Sequence, residues 1–246
     1  MLDLITSYIT SVNYETVVTT NVMPLSPRLY HWFVRPQWLT RKYIHEHIKN
    51  HFELDNKIIL DFGSGTGANC SICTPGHYIG IEPDKERVNL AKHLYPDHNF
   101  VIFDEQRIPS NDDSFDYIFV IAVLHHIPDE LIRNYLLEFE RVLKPDGKII
   151  VMEPYLRENT QFSNRFMNWY DDGEHIRDET SYLNLFKSNR YECSVLHKFK
   201  KCFVYNELFF SATPMVKSAE SAYDMDVSLM PGLEFEYEDA QYQGSY

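Results

Sequence analysis

Few folds accommodate an apolar run that ends in an acid and passes straight into three closely spaced glycines. Residues 58–60 are Ile-Ile-Leu, and Asp61-Phe62-Gly63-Ser64-Gly65-Thr66-Gly67 follow directly. The apolar run reads as a strand buried on both faces. The glycines let the backbone turn sharply and approach a ligand with no Cβ in the way. Further runs rich in Ile, Val and Phe at 78–81, 100–103, 117–121 and 148–152 alternate with helix-patterned stretches. This alternation predicts stacked βαβ units on a parallel sheet, an α/β fold of Rossmann-like type.

Between the last two runs, Pro128 opens a stretch in which Leu131, Ile132, Tyr135, Leu136, Phe139, Val142 and Leu143 recur at helical spacing, and Pro145-Asp146-Gly147 stops it with a turn. A helix is expected at 180–188, then strands at 193–196 and 208–211. The sequence between those two strands is too short for a crossover helix, so they should pair antiparallel. Ahead of the sheet, 36–52 reads as a helix with Trp38, Leu39, Tyr43, Ile44 and Ile48 on one side. The expected organisation is an aromatic and helical cap at 1–52, an α/β domain at 53–213, and a tail at 214–246 whose acidity (Glu234, Glu236, Glu238, Asp239) suits a flexible segment.

The formal charge of -13 disfavours nucleic acid and anionic membranes as partners, since polyphosphate binding draws on Lys and Arg. The start, Met1-Leu2-Asp3-Leu4-Ile5, carries an acid where a secretory signal is basic. No 18 apolar residues run together, so neither a signal nor a membrane span is expected. Four cysteines are few for a disulfide scaffold, and a cytoplasmic location is expected.

The glycine loop fits two ligand classes, because Gly63, Gly65 and Ala68 also satisfy a loose dinucleotide fingerprint. Asp61 beside the glycines and Asp104 at the end of the third run favour S-adenosylmethionine over a nicotinamide cofactor. A carboxylate there suits a methionine ammonium group and opposes a pyrophosphate. Glu82, about 20 residues beyond the loop, is placed to accept from both ribose hydroxyls in either class. Asp104 is placed to accept from the adenine amine, with the Glu105 N–H near a ring nitrogen. The alternative makes Asp61 and Asp104 turn residues at strand ends.

This series of motifs resembles the class I S-adenosylmethionine-dependent methyltransferases, and among them the type 11 group. Asp61–Gly67 is similar to their first motif, Glu82-Pro83-Asp84 to their acidic loop, and Asp104 through Ile108-Pro109 to their third. Ser114-Phe115-Asp116, Leu124-His125-His126-Ile127 and Leu143-Lys144-Pro145-Asp146-Gly147 complete the series, which spans roughly 57–153. The resemblance implies a seven-stranded sheet of order 3-2-1-4-5-7-6 with the last pair antiparallel. It implies cofactor contact at Asp61, Gly63, Ser64, Gly65, Gly67, Glu82, Pro83, Asp104, Glu105 and Ile121. The helix after Gly67 is short for the family. Residues 173–177 are similar to a feature of some bacterial members in a region that shapes the acceptor pocket.

Methyl transfer from a sulfonium is an in-line displacement needing no metal; the protein supplies alignment, exclusion of water and sometimes a base. His125 and His126 follow the carboxyl end of strand four, where ligands gather in this fold. Either is a candidate base for a hydroxyl or amine acceptor, or a turn-holding hydrogen bonder. Glu153 closes strand five and is a candidate to orient a histidine or bind the acceptor; its bland role is a strand-end cap. His175 and Arg177 are candidate acceptor contacts, with solvent exposure as the alternative, and Tyr30 and Trp32 are candidates to line an apolar acceptor site. Cys70-Ser71-Ile72-Cys73 lacks the four ligands of a zinc site and reads as core, and His47 with His51 reads as a helix face. A small-molecule acceptor methylated at oxygen or nitrogen is the expected substrate. A cofactor-binding module without turnover and a nicotinamide oxidoreductase are the rival readings. Acceptor identity and oligomeric state are not encoded in any motif found.

Overall fold

The computed structural model describes residues 37–103, 107–158, 160, 163–165, 175–202 and 205–215. The apolar runs form the strands β1 (Ile59–Phe62), β2 (Tyr78–Glu82), β3 (Asn99–Ile102), β4 (Phe115–Ile121) and β5 (Leu143–Leu156). A two-residue β6 (Arg177–Asp178) and a long hairpin of β7 (Tyr191–Lys201) and β8 (Tyr205–Pro214) follow. The strand order is β3-β2-β1-β4-β5-β8-β7, with β6 attached to β5. Strands β1 to β5 pair in parallel, whereas β8 pairs antiparallel with both β5 and β7. The expected order 3-2-1-4-5-7-6 is therefore present, renumbered by the short β6, which has no apolar run to announce it. The hairpin strands are longer than their apolar cores at 193–196 and 208–211, because β7 carries polar residues at many of its positions while pairing with β8 along its length, with one register shift between Val195 and His197.

Alternation along the strands divides the core between the two faces of the sheet. Leu60, Phe62, Ile118, Val120, Ile149 and Val151 pack on one side with the helices α3 (Asp129–Val142) and α4 (Glu179–Lys187). Ile59, Phe119, Ile121, Ile150 and Met152 pack on the other, with α2 (Lys85–Leu94) and α1, which we define as the consecutive segments Gln37–Thr40, Arg41–His45 and Glu46–His51. In α3 the buried residues Ile132, Tyr135, Leu136, Phe139 and Val142 are those the periodicity singles out, and Phe62 meets the Tyr135 and Phe139 rings edge-on at 4.8 and 5.0 Å. The Pro145-Asp146-Gly147 turn lies inside β5. Leu143 pairs with Phe115 and Lys148 with Tyr117, so 144–147 bulges out of the ladder.

The expected face of α1 fails at Trp38, while Ile44 and Ile48 are buried as expected. In α1 the buried set is Thr40, Ile44, His45 and Ile48, while Trp38 is 65% exposed. Trp38 lies two residues before Thr40, about 200° around a helix, so it points away from the Thr40–Ile44–Ile48 row. The middle segment Arg41–His45 is a π-helix, whose wider turn brings His45 inward beside Ile44.

Candidate cofactor and active site

The carboxyl ends of β1, β2, β4 and β5 converge on the glycine loop. Gly63, Gly65 and Gly67 all have left-handed φ, of 70°, 56° and 83°. Their surroundings differ. A Cβ on Gly63 would lie 2.6 Å from a Val123 methyl carbon, and one on Gly67 would lie 2.6 Å from the Phe100 ring. A Cβ on Gly65 meets nothing within 4 Å. Two of the glycines are thus required by packing, and the third borders open space of the kind a ligand fills. Gly67→Ala should lower stability by about 2–4 kcal/mol through strain and overlap with Phe100. Gly65→Val should cost only about 1–2 kcal/mol yet abolish S-adenosylmethionine binding. Thermal melts and calorimetric titration of both variants check this, and full affinity in folded Gly65→Val would remove the loop from the site.

Glu82 reaches the same loop. Its Oε2 accepts from the Gly65 N–H at 2.9 Å, and its Oε1 accepts from the Asp84 N–H at 3.3 Å. Asp84 caps α2 by accepting from the Glu86 and Arg87 N–H groups, so the Glu-Pro-Asp motif divides into an acid bonded to the glycine loop and a helix cap, with Pro83 exposed between them. Burial raises the Glu82 carboxyl above the ordinary carboxylate range, against the opposing pull of Arg87 and the two N–H groups. Since the shift is upward, the ionised form is lost on acidification earlier than for a free glutamate. S-adenosylmethionine affinity should weaken over that window, and Glu82→Gln should remove the dependence; Glu82→Ala should cost roughly 1.5–3 kcal/mol of binding. Affinity measured against pH tests both, and an unchanged Glu82→Gln profile would assign the titration elsewhere.

Asp61 is 1% exposed and lies beneath the loop, on the face covered by α1. Its Oδ2 accepts from the Tyr78 hydroxyl at 2.7 Å, and Asn69 Nδ2 donates to both carboxylate oxygens at 3.3 and 3.4 Å. Burial raises the Tyr78 hydroxyl well above its ordinary range, with the Asp61 charge adding to the effect. Burial likewise pushes the Cys70 thiol up to about 12. Cys70 and Cys73 are free and buried in the core, as their spacing without further ligands suggests. His45 of the π-helical segment is buried, and burial lowers its imidazole to about 4, with Asn69 opposing the fall. Neither Tyr78, Asn69 nor His45 is marked by a motif; strand pairing brings Tyr78 near Asp61, the 3-10 turn after the glycine loop brings Asn69, and the inward turn of α1 brings His45 to Asn69. Ser64 and Ile121 are 2% exposed, the former against Gly80 and the latter in the core at the end of β4. Among the described residues no group of His, Cys, Asp or Glu is arranged to hold a metal ion.

The turn after β4 gathers the second half of the site. Ala122, with φ of 56°, leaves the strand in a left-handed conformation, and Leu124–His126 form one turn of 3-10 helix. Glu153, which lies inside β5 rather than closing it, is fully buried and faces the opening of that turn. Its Oε1 accepts from the Val123 and Leu124 N–H groups at 2.8 and 2.9 Å, and its Oε2 accepts from the His125 N–H at 3.4 Å. His125 Nδ1 lies 2.7 Å from the same Oε2. His125 is 3% exposed, whereas His126 is exposed and lies against it with the rings tilted by 43° and their centroids 4.0 Å apart. The two histidines are thereby distinguished, since Glu153 bonds both the backbone and the ring of His125.

Arg177 departs from its expected place as an acceptor contact. It is 9% exposed, and all five of its N–H donors are committed within the protein. Nε and Nη2 donate to Asp129, Nη1 to the Leu124 and His175 carbonyls, and Nη2 also to the Ile127 carbonyl. His175 is half-buried, and its backbone N–H donates to the His125 carbonyl at 2.9 Å. Asp104, Glu105, Tyr30 and Trp32 lie outside the described residues.

A glycine cradle at the topological switch of a parallel sheet, an acid on the neighbouring strand and an antiparallel final hairpin define the class I S-adenosylmethionine-dependent methyltransferase architecture. Comparison with known proteins agrees. Residues 60–151 match the family model described as Methyltransferase domain, and this stretch is a class I methyltransferase domain of the type 11 group with S-adenosylmethionine as its cofactor. An uncharacterized methyltransferase of Bacillus subtilis, YcgJ, is 29% identical over 144 residues, covering 54% of this chain and 56% of that protein. The phthiotriol/phenolphthiotriol dimycocerosates methyltransferase 1 of Mycobacterium ulcerans is 30% identical over 128 residues, covering 50% and 44%. The chain thus spans about half the length of the curated relatives it matches. In fold, the human N-acetylserotonin methyltransferase solved with S-adenosylmethionine aligns with a TM-score of 0.58 at 20% identity, covering 78% of this chain and 57% of that one. The YcgJ crystal structure aligns at 0.57 and 17%, covering 70% and 100%.

Proposed function

We propose that this chain transfers a methyl group from S-adenosylmethionine to a small-molecule acceptor at oxygen or nitrogen, with His125 as the base that takes the acceptor's proton. The observation that carries the reading is the buried His125–Glu153 contact of 2.7 Å. With Glu153 already accepting three backbone N–H groups, its carboxylate serves as acceptor. The His125 Nδ1 then donates and Nε2 keeps its lone pair. The bound cofactor would supply a methyl group already activated on a sulfonium. The residues around it have three tasks: Glu82 holds the ribose, the Gly65 region lets the methionine portion approach, and His125 accepts a proton as the acceptor attacks. The rings of Tyr30 and Trp32, with His175, are proposed to border the acceptor.

Several relatives are named for small-molecule acceptors, among them a demethylmenaquinone methyltransferase and a mitomycin 7-O-methyltransferase, and this supports the substrate class. The charge of -13 supports a small molecule over nucleic acid. Among the described residues no helix is long and apolar enough to cross a membrane. Free cysteines suit the cytoplasm, where we place the protein. We assign catalysis to 53–213, with 1–52 as a cap and 214–246 as a tail dispensable for cofactor binding.

A panel of phenols, hydroxyquinones, alcohols and amines incubated with methyl-labelled S-adenosylmethionine tests the proposal, with mass spectrometry locating the label. Transfer to oxygen or nitrogen is expected. Label on carbon would overturn the acceptor class, and cofactor binding with no transfer to any acceptor would favour a non-catalytic module.

A further inference from the structure

The turn that carries His125 is held by opposite charges on opposite sides. A single 3-10 turn leaves its first N–H groups and its last carbonyls without partners inside the turn. Glu153 takes the N–H groups of Val123, Leu124 and His125. Arg177 takes the carbonyls, donating to Leu124 at 2.8 Å and to Ile127 at 2.7 Å. The guanidinium is itself oriented by Asp129, the first residue of α3, at 2.9 and 2.5 Å, and by the His175 carbonyl at 2.8 Å. The His175 N–H adds a bond to the His125 carbonyl at 2.9 Å. Arg177 sits on β6, which pairs with the end of β5 just beyond Glu153, through Tyr155 to Arg177 and Leu156 to Asp178. Carboxylate and guanidinium are therefore referenced to the same strand, and the turn is clamped between them.

We propose that Arg177 is a positioning residue for the His125–Glu153 pair: by fixing the Leu124 and Ile127 carbonyls it sets the orientation and tautomer of the His125 ring. The inference rests on the reading of His125 as the base only for its effect on turnover. The effect on the ring stands apart. A lysine retains the charge but cannot reach four acceptors spread over Leu124, Ile127, His175 and Asp129, because its donors radiate from one nitrogen. In Arg177→Lys the turn loses at least one carbonyl anchor and the ring gains freedom to leave Glu153.

The test uses the full chain with 15N-labelled histidine and saturating S-adenosylhomocysteine, reading the His125 ring nitrogen shifts and the exchange rate of its Nδ1 proton. In the parent protein a single tautomer with the proton on Nδ1 is expected. In Arg177→Lys a mixture of tautomers and at least about tenfold faster exchange are expected, with S-adenosylhomocysteine affinity within about twofold, because the glycine loop and Glu82 are untouched. Asp129→Asn, which loosens the guanidinium and leaves it in place, should shift both readouts in the same direction by less, and it decides the matter if Arg177→Lys does not fold. A single tautomer with parent exchange in either folded variant overturns the proposal. Turnover with the fastest acceptor of the phenol and amine panel separates the two readings. A disturbed ring with kcat lowered about tenfold or more supports both. A disturbed ring with unchanged kcat supports the clamp and overturns the assignment of His125 as base.

Discussion

Replacing His125 with Ala lowers turnover by about 10²–10⁴-fold and leaves S-adenosylmethionine affinity within about twofold, whereas His126→Ala changes turnover by a few-fold at most. The asymmetry follows from their surroundings. His125 is buried and bonded to the buried Glu153 carboxylate; His126 is exposed and only tilts against its neighbour's ring. A base must present a lone pair in a fixed direction, and only a ring whose other nitrogen is anchored does so. The acid limb of the parent pH profile, where a protonated imidazole can no longer accept, should vanish in His125→Ala. A purely structural histidine would instead lower the melting temperature and leave the shape of the profile intact. Turnover within a few-fold of the parent in both variants would mean that alignment alone carries the reaction.

The sheet was legible because its signals are local and repeated. Each of β1, β2, β4 and β5 is a run of Ile, Val, Phe or Leu, and α3 announces its buried face through Ile132, Tyr135, Leu136 and Phe139. The glycine loop was legible for the same reason, since left-handed backbone demands its residue type. What escaped depends on tertiary geometry. Trp38 carries an apolar signal yet is exposed, because Thr40, Ile44 and Ile48 set the phase of α1. Tyr78 and Asn69 come to Asp61 from two separate segments, so no spacing predicts that they hold its carboxylate. Arg177 was visible as a charge near the expected acceptor region, but charge alone does not say whether a guanidinium faces a substrate or four groups of its own chain. Glu153 was read as a strand-end cap, a partner of histidine or an acceptor contact. Its position under the Val123–His125 turn lets it bond the backbone and the ring together, which a sequence read one element at a time does not reveal.

Glu153 offers the sharpest separation of stability from chemistry. In Glu153→Ala, the Val123, Leu124 and His125 N–H groups and the His125 ring all lose their acceptor at a position with no solvent access. Stranding several buried donors at once costs about 3–5 kcal/mol, which for a domain of this size lowers the melting temperature by on the order of 10 °C. Glu153→Gln behaves differently. Its amide oxygen, placed where Oε1 now accepts from Val123 and Leu124, keeps those two bonds, so the stability loss should be near 1–2 kcal/mol. The amide nitrogen then occupies the place of Oε2 and donates to His125 Nδ1, which drives the ring proton to Nε2 and removes the lone pair that the acceptor's proton needs. Turnover in Glu153→Gln should therefore fall nearly as far as in His125→Ala, in a protein that melts close to the parent and binds S-adenosylmethionine normally. Adding His125→Ala to Glu153→Gln should lower turnover little further, since both changes disable one unit. Near-parent turnover in the folded glutamine variant would show that the orientation of His125 by Glu153 serves the turn alone and that another group takes the proton.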